Sequence, residues 1–306
     1  MHEPGQEAGD NGVATPEGLD GKVAALRALL KESGPVLVAY SGGVDSTLLL
    51  HAALTELGAD GVMAATASGD VHTAGELAEA RVTAARMGVR HVVVRTNELA
   101  VPGFPENTPD RCYLCKHALY GKLTELAWSH GMKTVVDGAN SDDSGDFRPG
   151  LRAARELGVR SPLAEVGIGK AEVRSLARQW GLPEWDRPPN PCLASRFPYG
   201  EPITVATLSM VAEGESYLKS LGLRTVRLRH HGHLARIEVD VDAIPGLLGC
   251  EAEPGPPAGM GGSVRRGIVE HLRRVGYKYV TIDLEGFRSG SLNDAISRGA
   301  SYREEG

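Results

Sequence analysis

Val36-Leu37-Val38-Ala39-Tyr40 runs into Ser41-Gly42-Gly43-Val44-Asp45-Ser46-Thr47, and the reading of this stretch decides the fold. The first five residues form an apolar run with the length of a short buried strand. Two glycines then turn the chain, and Ser46 to Leu57 reads as a helix that stops at Gly58. A strand that turns through glycines into a helix makes an anion site. Glycine lets the backbone approach the ligand, and the helix N-terminus offers unpaired N–H groups and a positive dipole end. Ser41, Gly42, Gly43, Asp45 and Ser46 are therefore candidate phosphate-binding residues; Ser46 adds a hydroxyl donor, and Asp45 is placed to orient the loop or hold magnesium. No Gly-Lys-Ser/Thr follows, so this is not a Walker A loop.

Outward from that turn, the spacing of Val23, Leu26, Leu29 and Leu30 predicts a helix over Lys22–Lys31. Gly61–Ala67, His91–Thr96 and Lys133–Asp137 read as strands, with a helix over Ala74–Met87 between the first two. Strands alternating with helices predict βαβ units and a parallel sheet. A second glycine turn, Asp137-Gly138-Ala139-Asn140-Ser141-Asp142-Asp143, falls at the C-terminal edge of that sheet, where α/β enzymes place their ligands. Asp142 and Asp143 are candidate magnesium ligands and Arg148 a candidate phosphate contact; the competing reading is a solvated Asx-rich loop.

The texture changes at Pro183, Pro188, Pro189, Pro191, Pro198 and Pro202, and the domain boundary is expected there. Four segments result: a disordered tail at 1–18, a nucleotide-binding α/β domain at 19–187, a proline-rich linker at 188–204, and an α+β domain at 205–306. The last has helices near Val205–Leu221 and Val264–Val275, strands near Thr225–Arg229, Ala235–Val239 and Tyr279–Asp283, and a Gly/Pro-rich insertion at Glu251–Gly262. A formal net charge of −6 argues against a nucleic-acid backbone as partner. No apolar run is long enough to span a bilayer, and four cysteines are too few for a disulfide scaffold, so a cytoplasmic protein is expected.

Those cysteines carry chemistry. Arg111-Cys112-Tyr113-Leu114-Cys115-Lys116 holds a CxxC at the start of a predicted helix, and Cys192 lies in Asn190-Pro191-Cys192-Leu193-Ala194-Ser195-Arg196. The pair alone fits a zinc or cluster site or a redox disulfide. Three thiolates can hold three irons of a 4Fe-4S cluster and leave the fourth open, whereas structural zinc takes four ligands. Arg196 beside Cys192 would favour a thiolate, as ligand or nucleophile; Cys250 has no local motif. Arg227 and Arg229 alternate along a strand, so both guanidinium groups share one face suited to phosphate or carboxylate, and Glu215 on the preceding helix is placed to position substrate or arginine.

The Ser-Gly-Gly-x-Asp-Ser segment resembles the PP-loop of ATP pyrophosphatases, which implies a Rossmann-like, HUP-type domain that transfers AMP and releases pyrophosphate. Asp137-Gly-Ala-Asn-Ser-Asp-Asp, Asp146-Phe-Arg-Pro-Gly150, Ser161-Pro-Leu163, Pro191-Cys-Leu-Ala-Ser-Arg196 and Asp283-Leu-Glu-Gly-Phe-Arg-Ser-Gly290 together resemble the LarE family of ATP-dependent sulfur transferases, from about Leu19 to about Asn293. That resemblance implies adenylation of a carboxylate of pyridinium-3,5-biscarboxylic acid mononucleotide, then replacement of AMP by sulfur. It implies ATP and magnesium as cofactors, a separate source of sulfide, and assembly into a homo-oligomer. In one branch the residue matching Cys192 sacrifices its own sulfur. In another, three cysteines matching Cys112, Cys115 and Cys192 hold a 4Fe-4S cluster, and this chain has all three. The rival readings are a cluster-dependent tRNA thiolase, an amide-forming PP-loop ligase and a non-enzymatic nucleotide sensor.

Overall fold

The computed structural model describes residues 18–145, 149–248, 260–288 and 290–293. Arg148 and Cys250, and most of the Gly/Pro-rich insertion, lie outside the described residues.

Four strands make the first sheet: β1 (Val36–Ala39), β2 (Val62–Ser68), β3 (Arg90–Arg95) and β4 (Thr134–Asp137). All pair in parallel, in the order β3-β2-β1-β4. The chain walks from β1 to β3 in one direction and then crosses back to place β4 on the other side of β1. That reversal opens a crevice at the carboxyl ends of β1 and β4, the position at which doubly wound sheets bind ligands.

Helices cover both faces. Alternate residues of β1 point opposite ways: Val36, Val38 and Tyr40 enter one core and Leu37 the other. The first core is closed by α1 (Leu19–Ser33), α2 (Val44–Leu57) and part of α3 (Ala74–Arg86). The second is closed by α4 (Arg111–Ser129), through Tyr120, Leu123 and Ala127, and by α5 (Pro149–Glu156), through Ala153 and Ala154. After the short α6 (Pro162–Glu165), α7 (Lys170–Gln179) returns to the first core with Val173, Leu176 and Ala177. Each large aliphatic side chain buried this way contributes about 1.5–3 kcal/mol.

The second sheet has the order β5 (Val226–His231), β6 (Leu234–Val239), β7 (Tyr279–Ile282), antiparallel and then parallel. With α8 (Val205–Ser220), α9 (Ile244–Leu248) and α10 (Met260–Arg274) it encloses a core that includes Leu218, Leu228, Ile237 and Leu272. This is the expected pairing of a Rossmann-like α/β unit with a smaller mixed one.

The proline-rich stretch between the sheets is no loose tether. Leu193, Ala194, Phe197 and Ile203 are buried with Val71 and Phe104 of the first unit and with Leu208 and Val211 of α8. A fourth small core thus sits between the sheets, and Cys115 and Cys192 pack against it.

Candidate active site

The turn after β1 folds as the sequence implies. Gly42 takes φ +77°, a conformation open to glycine, and α2 begins at Val44. The first N–H groups of α2 therefore have no partner inside the helix. The Ser46 hydroxyl lies 3.1 Å from Ser41 Oγ and donates to the Gly43 carbonyl at 3.1 Å, which locks the turn. Arg187 Nη1 donates to the Gly42 carbonyl at 2.7 Å. Across the crevice, Gly138 leaves room for the turn: a Cβ there would stand 2.7 Å from Ser46 N.

Asp45 projects into this crevice with both oxygens engaged. Asn140 Nδ2 donates to Oδ1 at 3.1 Å, and Lys170 Nζ forms a short ion pair with Oδ2. Asn140 and Lys170 were not singled out by sequence reasoning. Lys170 opens α7, a helix that the sequence reading passed over although Val173, Leu176 and Ala177 have helical spacing and the Glu172 carboxylate accepts from Gly169 N at 2.9 Å. Asp142 and Asp143, expected at magnesium, have local work. Asp142 accepts from Lys170 N at 2.8 Å and so caps α7, while Asp143 accepts from Asn140 N at 3.0 Å. Their carboxylates hold the loop that delivers Asn140 and Lys170 to Asp45.

The thiols gather at the same edge of the sheet. Cys112 and Cys115 lie in the first turn of α4, and Lys116 Nζ stands 4.0 Å from Asp137 at the end of β4. Cys192 precedes a 3-10 turn at Leu193–Arg196 whose first N–H bonds the Val71 carbonyl at 2.9 Å, just beyond β2. Arg111 ties the two segments together, donating to Asn107 and, at 2.8 Å, to the Ala194 carbonyl. Burial pushes the Cys115 thiol up strongly, and the neighbouring Cys192, Glu98 and Cys112 push it further. Burial also raises Cys192, against the pull of Arg111 and Arg196. Cys115 and Cys192 pack against the same small core, with Cys112 three residues before Cys115 on α4, yet among the described residues no three His, Cys, Asp or Glu side chains close tightly enough to cage a single metal ion. The two cysteine-bearing segments are tied by Arg111 and backed by an apolar core.

Arg196, expected to favour a thiolate at Cys192, does pull that thiol down, but its charge is already paired. Its guanidinium is fully buried and bidentate to Glu215, with Nε–Oε1 at 2.8 Å and Nη2–Oε2 at 2.9 Å. It also donates to the carbonyls of Pro191 at 2.6 Å and Cys192 at 3.3 Å. Arg196 therefore shapes the Cys192 loop, and Glu215 positions Arg196. Burial works to raise the Glu215 carboxyl, but Arg196 and the Leu228 N–H outweigh it and hold that carboxyl below its usual range.

Arg227 and Arg229 do share one face of β5, and that face is buried against the Cys192 loop. Arg229 pairs with Glu238 at 2.7 Å and donates to the Ser195 carbonyl at 2.8 Å. Arg227 reaches the Pro189 and Val226 carbonyls and stacks on Phe287, but among the described residues no carboxylate pairs with it. Burial, with Arg196 beside it, pulls Arg227 down to about 10. Glu215 is thus taken by Arg196 and Lys219 and Glu238 by Arg229 and Arg236, which leaves the Arg227 charge facing the cysteine loop.

A glycine turn at the switch point of an open parallel sheet, followed by a small mixed α/β unit, is the build of a Rossmann-like PP-loop protein. No family model matches the chain. It is 39% identical to the pyridinium-3,5-bisthiocarboxylic acid mononucleotide synthase of Lactiplantibacillus plantarum over 277 residues, 90% of this chain and 95% of that protein. It is 43% identical to an uncharacterized protein of Synechocystis, covering 92% of this chain and all of that one, and 29% identical to another from Methanocaldococcus jannaschii, covering 88% and 98%. The chain belongs to the LarE family of sulfur transferases.

Proposed function

We propose that this enzyme adenylates a carboxylate of pyridinium-3,5-biscarboxylic acid mononucleotide with ATP and replaces AMP by sulfur, giving the thiocarboxylate. The observation that supports the proposal is that Cys115 and Cys192 pack against one small core, with Cys112 three residues before Cys115 on α4, while Arg187 from the Cys192 stretch donates to the Gly42 carbonyl of the phosphate turn at 2.7 Å. The N–H groups opening α2 receive the phosphates that leave as pyrophosphate. Lys170 transfers its charge from Asp45 to those phosphates, which frees Asp45 for magnesium; magnesium would neutralise charge between phosphate oxygens there. Arg227, buried without a carboxylate, takes the phosphate or a carboxylate of the mononucleotide and thereby turns the reacting carboxyl toward the α-phosphate. A sulfur nucleophile then attacks the acyl carbon, the C–S bond forms, and the C–O bond to AMP breaks.

Cys112, Cys115 and Cys192 would hold a 4Fe-4S cluster, which would supply sulfur at the sulfide level for the transfer. The competing scheme, sacrifice of the Cys192 sulfur, gives Cys112 and Cys115 no part. Iron and acid-labile sulfide measured on protein purified without oxygen separate the two. Cluster stoichiometry in the wild type, lost in Cys112→Ala, is expected. Zinc or no metal in the wild type would refute the cluster and leave Cys192 as the donor.

A further inference from the structure

The peptide that joins Gly42 to Gly43 is held from outside the phosphate turn by a distant residue. Arg187 Nη1 donates to the Gly42 carbonyl at 2.7 Å across 145 positions of sequence, and among the described residues no other donor reaches that oxygen. Every peptide bond of the described residues is trans. A trans peptide is planar, with its C=O and N–H pointing in opposite directions. A donor that fixes the Gly42 oxygen on one side therefore fixes the Gly43 N–H on the other. That other side carries the two hydroxyls of the turn: Gly43 N donates to Ser41 Oγ at 3.3 Å, and Ser41 Oγ lies 3.1 Å from Ser46 Oγ. Gly42 has need of such a hold, because at φ +77° it uses the freedom of a residue that is costly to fix.

Arg187 is itself braced. Its N–H bonds the Glu184 carbonyl at 3.0 Å, and Arg174 of α7 donates to the carbonyls of Trp185 at 2.9 Å and Arg187 at 2.7 Å. The buried Glu184 carboxylate accepts from Thr83 at 2.9 Å and Arg86 at 2.8 Å, both on α3. The other arm of the Arg187 guanidinium, Nη2, stands 3.4 Å from Glu79, an exposed carboxylate whose pairing contributes little in water. The firm bond of this side chain is thus the one to the turn.

We propose that Arg187 is a positioning residue for adenylation, seating the Gly42–Gly43 peptide with its N–H toward the phosphates that leave as pyrophosphate. Arg187 touches no phosphate; it acts through the Gly43 N–H, so that the turn meets ATP already shaped. The inference rests on the reading that the Ser41–Ser46 turn takes the phosphates of ATP.

The test titrates full-length protein with magnesium ATP, with magnesium pyrophosphate and with AMP, and reads the thermal midpoint on the same samples. Arg187→Met is expected to weaken ATP and pyrophosphate about tenfold, the loss of one charged hydrogen bond, while AMP, which lacks the β and γ phosphates, stays within about twofold of wild type. In Arg187→Ala, added ethylguanidinium should recover most of the lost ATP affinity and ethylammonium should not, because the planar fork is what the site accommodates. Glu79→Gln breaks the exposed pair, leaves the Gly42 contact and should bind all three ligands as the wild type does. A residue that serves the fold alone would lower the midpoint and weaken ATP and AMP equally, without chemical rescue. That result, or wild-type ATP affinity in Arg187→Met, would overturn the proposal. Wild-type protein that binds neither ATP nor pyrophosphate would instead overturn the phosphate reading of the turn, a failure visible before any variant is made.

Discussion

Removing the Glu215 carboxylate tests whether the cysteine loop is held by a buried charge pair. Glu215 and Arg196 are both almost fully buried, joined by two charge-assisted bonds at 2.8 and 2.9 Å, and Glu215 also accepts from Leu228 N at 3.0 Å. Glu215→Gln leaves Arg196 as a buried, uncompensated cation beside the equally unpaired Arg227. Breaking one side of such a pair costs about 3–5 kcal/mol. At roughly 2–4 °C per kcal/mol for a chain of this size, the thermal midpoint falls by about 6–20 °C. Arg196→Met alone should cost a similar amount, because the carbonyls of Pro191 and Cys192 lose their donor along with Glu215. The double variant should cost less than the sum by about 2 kcal/mol, the coupling between the partners. The pH dependence has a defined sign. Folding lowers the Glu215 pKa, so its stabilisation is full above the unfolded value of about 4.3 and is lost as pH falls through the folded value. The gap between wild type and Glu215→Gln is therefore constant near neutral pH and closes below about pH 4. Urea unfolding of both singles and the double, at neutral and acid pH, measures all of this. A cost under about 1 kcal/mol for Glu215→Gln, or strict additivity, would refute the charge-pair account.

Lys170→Ala removes the cation now paired with Asp45; ATP–pyrophosphate exchange should fall about 10²–10³-fold, while iron content stays at the wild-type level. Wild-type exchange would make Lys170 a mere partner of Asp45. Arg227→Met removes a buried cation that no carboxylate pairs, which offsets the lost donors to the Pro189 and Val226 carbonyls, so stability should change by less than about 1 kcal/mol while the KM for the mononucleotide rises about tenfold or more. A loss of stability with unchanged KM would assign Arg227 to the fold alone.

The parallel sheet was legible because its signals are local. Val36–Tyr40 is apolar, Gly42 is needed at positive φ, and Gly58 ends α2, so three neighbouring features agree on one strand, turn and helix. The order β3-β2-β1-β4 is not local. Only in space does β4 return beside β1, and that return sets Asn140 against Asp45. α7 was missed because its apolar face is short and follows a run of turns, and Lys170 was missed with it. That Glu215 positions an arginine was expected, but which arginine was not legible. Sequence puts Arg196 four residues from Cys192, but its charge is answered by Glu215 nineteen residues further on. Nearness along the chain says nothing about which carboxylate claims a guanidinium. Glu98 gave no signal at all, since an acid between Asn97 and Leu99 reads as surface until its burial is seen.

The segment from Arg187 to Phe197 is the element on which both halves of the proposed reaction depend. On one side Arg187 holds the Gly42 carbonyl of the phosphate turn, Asn190 reaches Glu76 at the head of α3, and Leu193 N bonds Val71. On the other, Arg227 holds the Pro189 carbonyl, Arg229 the Ser195 carbonyl, and Glu215 the Arg196 side chain. A strip bonded along both edges cannot move relative to one sheet without breaking bonds to the other. The phosphate turn and the thiols are consequently held at one separation. An acyl adenylate is prone to hydrolysis, so its productive fate depends on a sulfur already in place when pyrophosphate leaves. Loosening the strip from either edge should therefore leave pyrophosphate release running while thiocarboxylate per ATP falls. Glu215→Gln, studied below its unfolding temperature, offers that measurement: equal loss of both products would mean that the strip serves adenylation alone.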